Sequence, residues 1–239
     1  GAATSSVLAF TNAGTLTGTI TVTGSAEIEV NGASTITSID HNATALVLDI
    51  NESATITGLD NAGGTATTID VASAKTLTVT TPTLSTAVTL NGAATSSVLA
   101  FTNAGTLTGT ITVTGSAEIQ VDGASTITSI DHNATALVLD VNESATITTL
   151  DAAGATATTI DIASGKTLTT TATIAANTLT LTGTGTVSRV DATTGTITDN
   201  GGTTVSDLRA TFGAGGIFTW GGTGSGTITT LANALPGAG

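Results

Sequence analysis

Residues 46–57 read LVLDINESATIT, and residues 67–78 read TTIDVASAKTLT. Both hold one figure: an apolar-Asp-apolar triplet, a polar break, then an apolar residue six places after the triplet. In the first stretch this is Leu48-Asp49-Ile50 and then Ile56; in the second it is Ile69-Asp70-Val71 and then Leu77. Alternation of apolar and polar residues has a period of two, which sends successive side chains to opposite sides of a β-strand. Threonine and β-branched aliphatics suit that pleated surface. The figure also stands at Ile20-Thr21-Val22 followed by Ile28, and more loosely at Val88-Thr89-Leu90 followed by Val98.

Steps between successive figures are 28, 21, 19 and 23 residues, the last reaching Ile111. Together they span 91 residues, the offset at which the whole text begins again, GAATSSVLAFTNAG at residue 1 and at residue 92. The copies differ over most of their length by mild swaps such as Glu29/Gln120, Asn31/Asp122 and Ile50/Val141. Short strands recurring at such a period are the mark of coils that stack on one another. The expected fold is all-β: an elongated β-solenoid (β-helix) of roughly ten coils of about 19–28 residues, a rod on the order of 45–50 Å long at the strand spacing of a sheet. Residues 1–91 form repeat unit one, of about four coils, and residues 92–182 form unit two, again of about four. Residues 183–239 hold divergent final coils and a Gly-rich C-terminal cap or junction, where Phe212, Phe218 and Trp220 suggest an assembly interface. Turn residues stand at Asn12–Gly14, Asn31-Gly32 and Asn61–Gly64, and Pro82 is expected in an irregular stretch.

Composition narrows the function. Four basic residues (Lys75, Lys166, Arg189, Arg209) stand against 17 acidic ones, for a net charge of −13. That balance argues against nucleic acid and anionic lipid as partners and leaves room for divalent cations. Cysteine and methionine are absent, so no thiol chemistry is expected. The start at Gly1 suggests a mature product or a fragment. No apolar run is long enough for a membrane-spanning helix, and aromatic girdles of a membrane barrel are missing.

Several residues are candidates for chemistry. Asp49, Asp70, Asp140 and Asp161 occupy the outward place of their triplets. Stacked carboxylates repel unless hydrogen bonds or a cation intervene, and calcium takes oxygen ligands of this kind. No cofactor is required by this reading; calcium is the one cofactor it admits. Asn42, Asn51, Asn133 and Asn142 open Asn-x-Ser/Thr sequences, each with Asp two residues earlier, as in an extended bacterial glycosylation acceptor. Thr-apolar-Thr triplets at 35–37, 55–57 and 76–78, with copies at 126–128, 146–148 and 167–169, could form a flat hydroxyl array. His41 and His132 read as turn residues with too few neighbours for a zinc site. Scattered basic residues do not offer the carboxylate-and-cation groove of a polysaccharide-cleaving enzyme, so no enzyme activity is expected.

Richness in Thr, Ala and Gly, acidity, lack of Cys and long near-identical repeats give the chain its kinship. It resembles secreted bacterial surface proteins, namely S-layer proteins and large repetitive adhesins of the β-solenoid type. That resemblance implies a structural protein at the bacterial cell surface, assembling with itself end to end or laterally, often with calcium. Cell-surface polysaccharide is the other partner it implies. Alternatives are a binding module, for ice through the threonines or for glycan, and a functional amyloid of a biofilm matrix built on open strand edges.

Overall fold

A computed structural model of the chain describes residues 6–42, 45–103, 105–133, 136–152, 156–170, 174–176, 178–192, 196–210, 217–220 and 226–233. The chain is all-β and winds into a parallel β-solenoid, as the periodicity predicts. Strands pair in parallel with the strand next but one, so each turn of chain lies against the turn before it.

A turn has three arms. One is a short straight strand, such as Ala26–Val30, Leu46–Ile50 or Thr67–Val71. The other strand is longer and bends. In Ser34–His41 the buried residues are Ser34, Ile36, Ile39 and His41, while Thr37 and Ser38 both lie outside. Two outward residues in succession reset the alternation and mark a corner. The same reset appears as a register shift between Leu16 and Thr19, and again between Leu107 and Thr110. Up to residue 83, short arms build the first face of the rod, the first halves of the long strands the second, and their second halves the third; beyond residue 97 each moves on by one face.

The junction between the copies shows how the two units are joined. Val88–Phe101 is one strand that rounds a corner. Its residues 88–92 stack on Thr67–Val71 on the first face, and residues 98–101 stack on Thr76–Val79 on the second. Ile111–Val113, the second half of a long strand, then lies on Val88–Leu90. Counted from Ser6–Phe10 to its copy at Ser97–Phe101, the chain makes thirteen arms, which is four turns and one arm over. Equivalent residues of the two units therefore lie on adjacent faces, a third of a turn apart.

That arrangement corrects the coil lengths. Ile20 pairs with Ile39 on the third face, whereas Leu48 pairs with Ile28 on the first, so the step of 28 residues between Ile20 and Leu48 is not one coil. True turns take 18 residues between Leu179 and Ile197, 20 between Ile28 and Leu48, and 23 between Ala54 and Leu77. Corner loops of unequal length account for the range. Pro82 is likewise not in an irregular stretch; it lies within Thr76–Thr83 opposite Leu59, its ring buried.

The interior is a narrow stack of aliphatic columns. Along the second face Ile36, Ile56, Val79, Phe101, Val121, Val141 and Ile162 follow one another in register, every one sealed from solvent. Burying a side chain of this size stabilises by about 1.5–3 kcal/mol. Because each column crosses from one unit to the next without a gap, the two copies share one core. The divergent segment continues it through Val187, Val190, Ile197, Val205 and Leu208.

Candidate functional site

Outward residues form columns as regular as the inward ones. On the first face Ala9, Glu29, Asp49, Asp70 and Asn91 stand in register. Their copies, Ala100, Gln120, Asp140 and Asp161, stand on the second face and lead to Thr182. The structure thus brings Asp49 beside Asp70 and Asp140 beside Asp161, at about the 4.8 Å separation of neighbouring strands. The two pairs occupy different faces and do not meet.

Amides staple these carboxylates. Asn51 Nδ2 donates to Asp49 Oδ2 and to Asn31 Oδ1, each at 3.0 Å. Its copy Asn142 donates to Asp140 Oδ2 and Asp122 Oδ1, again at 3.0 Å. Where asparagine at 31 becomes aspartate at 122, a carboxylate joins the staple, while Gln120 in place of Glu29 removes one from the strand position beside Asp140. Burial, followed by the charges of Asp161 and Asp122, pushes the Asp140 carboxyl up, against the hydrogen bond from Asn142. Burial, then Asp140 and Asp122, does the same to Glu118. Asp70 Oδ1 is shut away from water without a hydrogen-bond partner, beside a shallow recess lined by Asp49, Asn51 and Asn91. Among the described residues no group of three or more His, Cys, Asp or Glu side chains is gathered closely enough to hold a metal ion.

The four sequon asparagines all sit at corners. Asn42 donates to Asp40 Oδ1 at 2.7 Å and Asn133 to Asp131 Oδ1 at 2.8 Å, matching the Asn51–Asp49 and Asn142–Asp140 pairs. The aspartate two residues before each asparagine thereby has a structural part: it holds the amide that turns the corner. Asn42, Asn51 and Asn133 are exposed, and Asn142 is half-buried.

Threonines form the second regular surface. Thr15, Thr35, Thr55 and Thr78 stand in register on the second face. Thr106, Thr126, Thr146 and Thr169 repeat them on the third. The triplet aligned with 55–57 is therefore 78–80 and not 76–78, because the corner before it carries extra residues; by the same register it is 169–171 in the second unit, of which residue 171 lies outside the described residues. Each array lies beside a shallow groove, floored by Ser34 and Ala54 in one unit and by Ser125 and Ala145 in the other.

His41 and His132 are not turn residues. The reset at Thr37-Ser38 turns His41 inward, and both rings are wholly buried. His41 Nδ1 lies 3.1 Å from Thr67 Oγ1, and His132 Nδ1 lies 3.3 Å from Thr158 Oγ1. Burial holds the His132 imidazole below its ordinary value. Below His41 the column continues with buried Asn61, whose Oδ1 accepts from the Ser85 and Thr86 amides at 2.9 and 3.2 Å. Asp199, also buried, accepts from the amides of Gly201, Gly202 and Thr203 through Oδ1. Neither polar plug was foreseen from the sequence; the Asp-Asn-Gly-Gly run at 199–202 was the signal for the second.

Of the expected aromatic interface, Phe212 lies outside the described residues. Phe218 and Trp220 belong to the strand Ile217–Trp220, where they pair with Ile197 and Asp199 and extend the second face.

No protein-family model matches the chain, and no curated protein or solved structure matches it.

Proposed function

We propose that this protein is a non-catalytic structural rod, part of an extracellular bacterial surface layer, filament or adhesin stalk that assembles with itself. One observation carries the reading: the apolar column from Ile36 to Ile162 crosses the unit boundary in unbroken register. A fold that can be lengthened by whole units without reworking its core suits a load-bearing spacer. Calcium enters this reading as the cation that the paired carboxylates Asp49/Asp70 and Asp140/Asp161 would share between copies. Negative-stain imaging of the purified chain, with calcium and then with chelator, is the test. Filaments or sheets are expected, more ordered with calcium. A chain that stays single at high concentration in both conditions would sink the proposal.

A second reading is favoured by the threonine register. Four successive turns in each unit carry a Thr column, with Thr37 and Thr57 standing together beside the first. Such a flat hydroxyl array supports binding to an ordered surface such as ice. Thermal hysteresis in dilute protein would show it, and a freezing point equal to the melting point would remove it.

A further inference from the structure

The second face changes its chemistry halfway along one straight outward column. Thr15, Thr35, Thr55 and Thr78 stand in register and lead to Ala100. Beyond Ala100 the column continues with Gln120, Asp140, Asp161 and Thr182. Ala100 is therefore a midpoint, with hydroxyls on one side and mostly carboxylates and an amide on the other. The column next to it has its midpoint in the same strand, since Thr76 and Glu118 both pair with Val98.

The two halves are complementary as well as equal in length. Among the described residues, none is hydrogen-bonded to the Thr35, Thr55 or Thr78 hydroxyl, whereas Thr37 beside them donates to the Leu16 carbonyl at 2.9 Å. Asp140 accepts from Asn142 through Oδ2, and Asp161 accepts from no described side chain. One half thus holds unspent donors and the other unspent acceptors. Turning a copy end over end, about an axis along the strands at Val98–Ala100, lays this face on itself. Strand spacing is about 4.8 Å on both partners, so the columns stay in step along the contact. Thr55 then meets Asp140 of the other copy, Thr35 meets Asp161, Thr78 meets Gln120 and Thr76 meets Glu118. Every pair recurs by symmetry, as an isologous contact requires. A hydroxyl that donates to a carboxylate makes a charge-assisted hydrogen bond.

Electrostatics selects this arrangement. Two copies pointing the same way would set the Asp140 and Asp161 rows against themselves, which like charges oppose. The first face fails the end-over-end operation. Its column runs from Glu27 through Val47, Thr68, Thr89, Thr112 and Asp131 to Asp151, so turning it about Thr89 sets Glu27 against Asp151.

We infer that the second face is a docking surface for a second, antiparallel copy of this chain, with the threonine hydroxyls of each copy donating to the carboxylates of the other. The contact would be about 38 Å long and about 16 Å wide, roughly 600 Å² on each partner, at the lower end of specific interfaces. This rests on the self-assembly reading above and names its lateral contact.

The chain has no cysteine, so cysteines introduced one at a time report the pairing. Chains carrying Thr55→Cys and Asp140→Cys are treated with a short bis-maleimide, separately and mixed. Cross-linked dimer is expected only in the mixture, whereas Val98→Cys, at the axis, should cross-link with itself. A double variant, Thr35→Asp with Thr55→Asp, sets carboxylates against carboxylates and should weaken the dimer in sedimentation by about tenfold or more. It should keep the fold, because the rod already holds such a stacked pair at Asp49 and Asp70. Cross-linking of Thr55→Cys or Asp140→Cys by itself would show copies pointing the same way and overturn the inference. So would the absence of cross-links in every sample, or a dimer unchanged by the double variant. Filaments seen in the microscope without these cross-links would leave the scaffold reading standing and remove only this one.

Discussion

Leu8 and Leu99 belong to identical stretches of 28 residues, and one is 44% exposed while the other is sealed. In a globular domain the sequence around a residue largely decides its burial. In this rod the coil above decides it, because every turn contacts only its two neighbours. The two copies are thus a natural experiment: sequence is held constant while cover, face and charge environment change.

The sharpest way to break that comparison is to truncate both leucines. Leu99→Ala should cost about 2–5 kcal/mol, the usual range for a sealed leucine, whereas Leu8→Ala should cost about 1 kcal/mol or less. Denaturant midpoints of the two variants check it, and equal losses would mean that the open end is covered in solution. A smaller effect is expected at the corner after the short arm. Ala74 has φ of 59° and its copy Gly165 has φ of 73°. An L-residue pays a steric cost in that left-handed region, so Ala74→Gly should stabilise by up to about 1 kcal/mol and Gly165→Ala should destabilise by a similar amount. Thermal melts of the pair read both signs.

A third comparison uses pH. Asp140 and Glu118, raised by burial and by neighbouring carboxylates, hold their protons more tightly folded than unfolded. As pH falls through their raised range toward the ordinary carboxylate range, the folded state gains protons first and stability rises. His132 acts in the opposite direction. Its imidazole, lowered by burial, stays neutral when folded, so stability drops as pH falls below its ordinary value of 6.5 and the unfolded ring takes up a proton. Removing the first slope with Glu118→Gln and Asp140→Asn should leave a chain that only loses Tm on acidification from pH 7. The smallest effect is expected at the ion pairs Lys75–Glu52 and Lys166–Glu143, both 2.7 Å long and about a third to a half exposed. Lys75→Met and Lys166→Met should each cost about 0–1 kcal/mol, alike in the two copies and less in high salt.

Much of this was legible in the residues. The inward column of Ile28, Leu48 and Ile69 and the outward pair Asp49 and Asp70 follow from alternation alone. What alternation misses is the corner inside a strand. Two outward residues at Thr37-Ser38 shift every later residue by one place, which is why His41 reads as exposed and is buried. Register across turns was also hidden, since corners of different length slide one strand against the next. That slide moved the threonine array from Thr76 to Thr78. The amide staples were hidden for a related reason: Asp-x-Asn reads as an acceptor pattern along the chain, and its part in turning the corner shows only in the hydrogen bonds from Asn42 to Asp40 and from Asn51 to Asp49.

The odd arm in each unit has a consequence for growth. Had the copied block been twelve arms long, every new copy would have laid its carboxylates in line with the last, down one side of the rod. Thirteen arms turn the decoration like the thread of a screw. Copying the block adds length while spreading like charges around the circumference, so no flank becomes a wall of repulsion and no side is favoured over the others. A gene that lengthens by this block would yield rods of any length that look the same from every direction of approach.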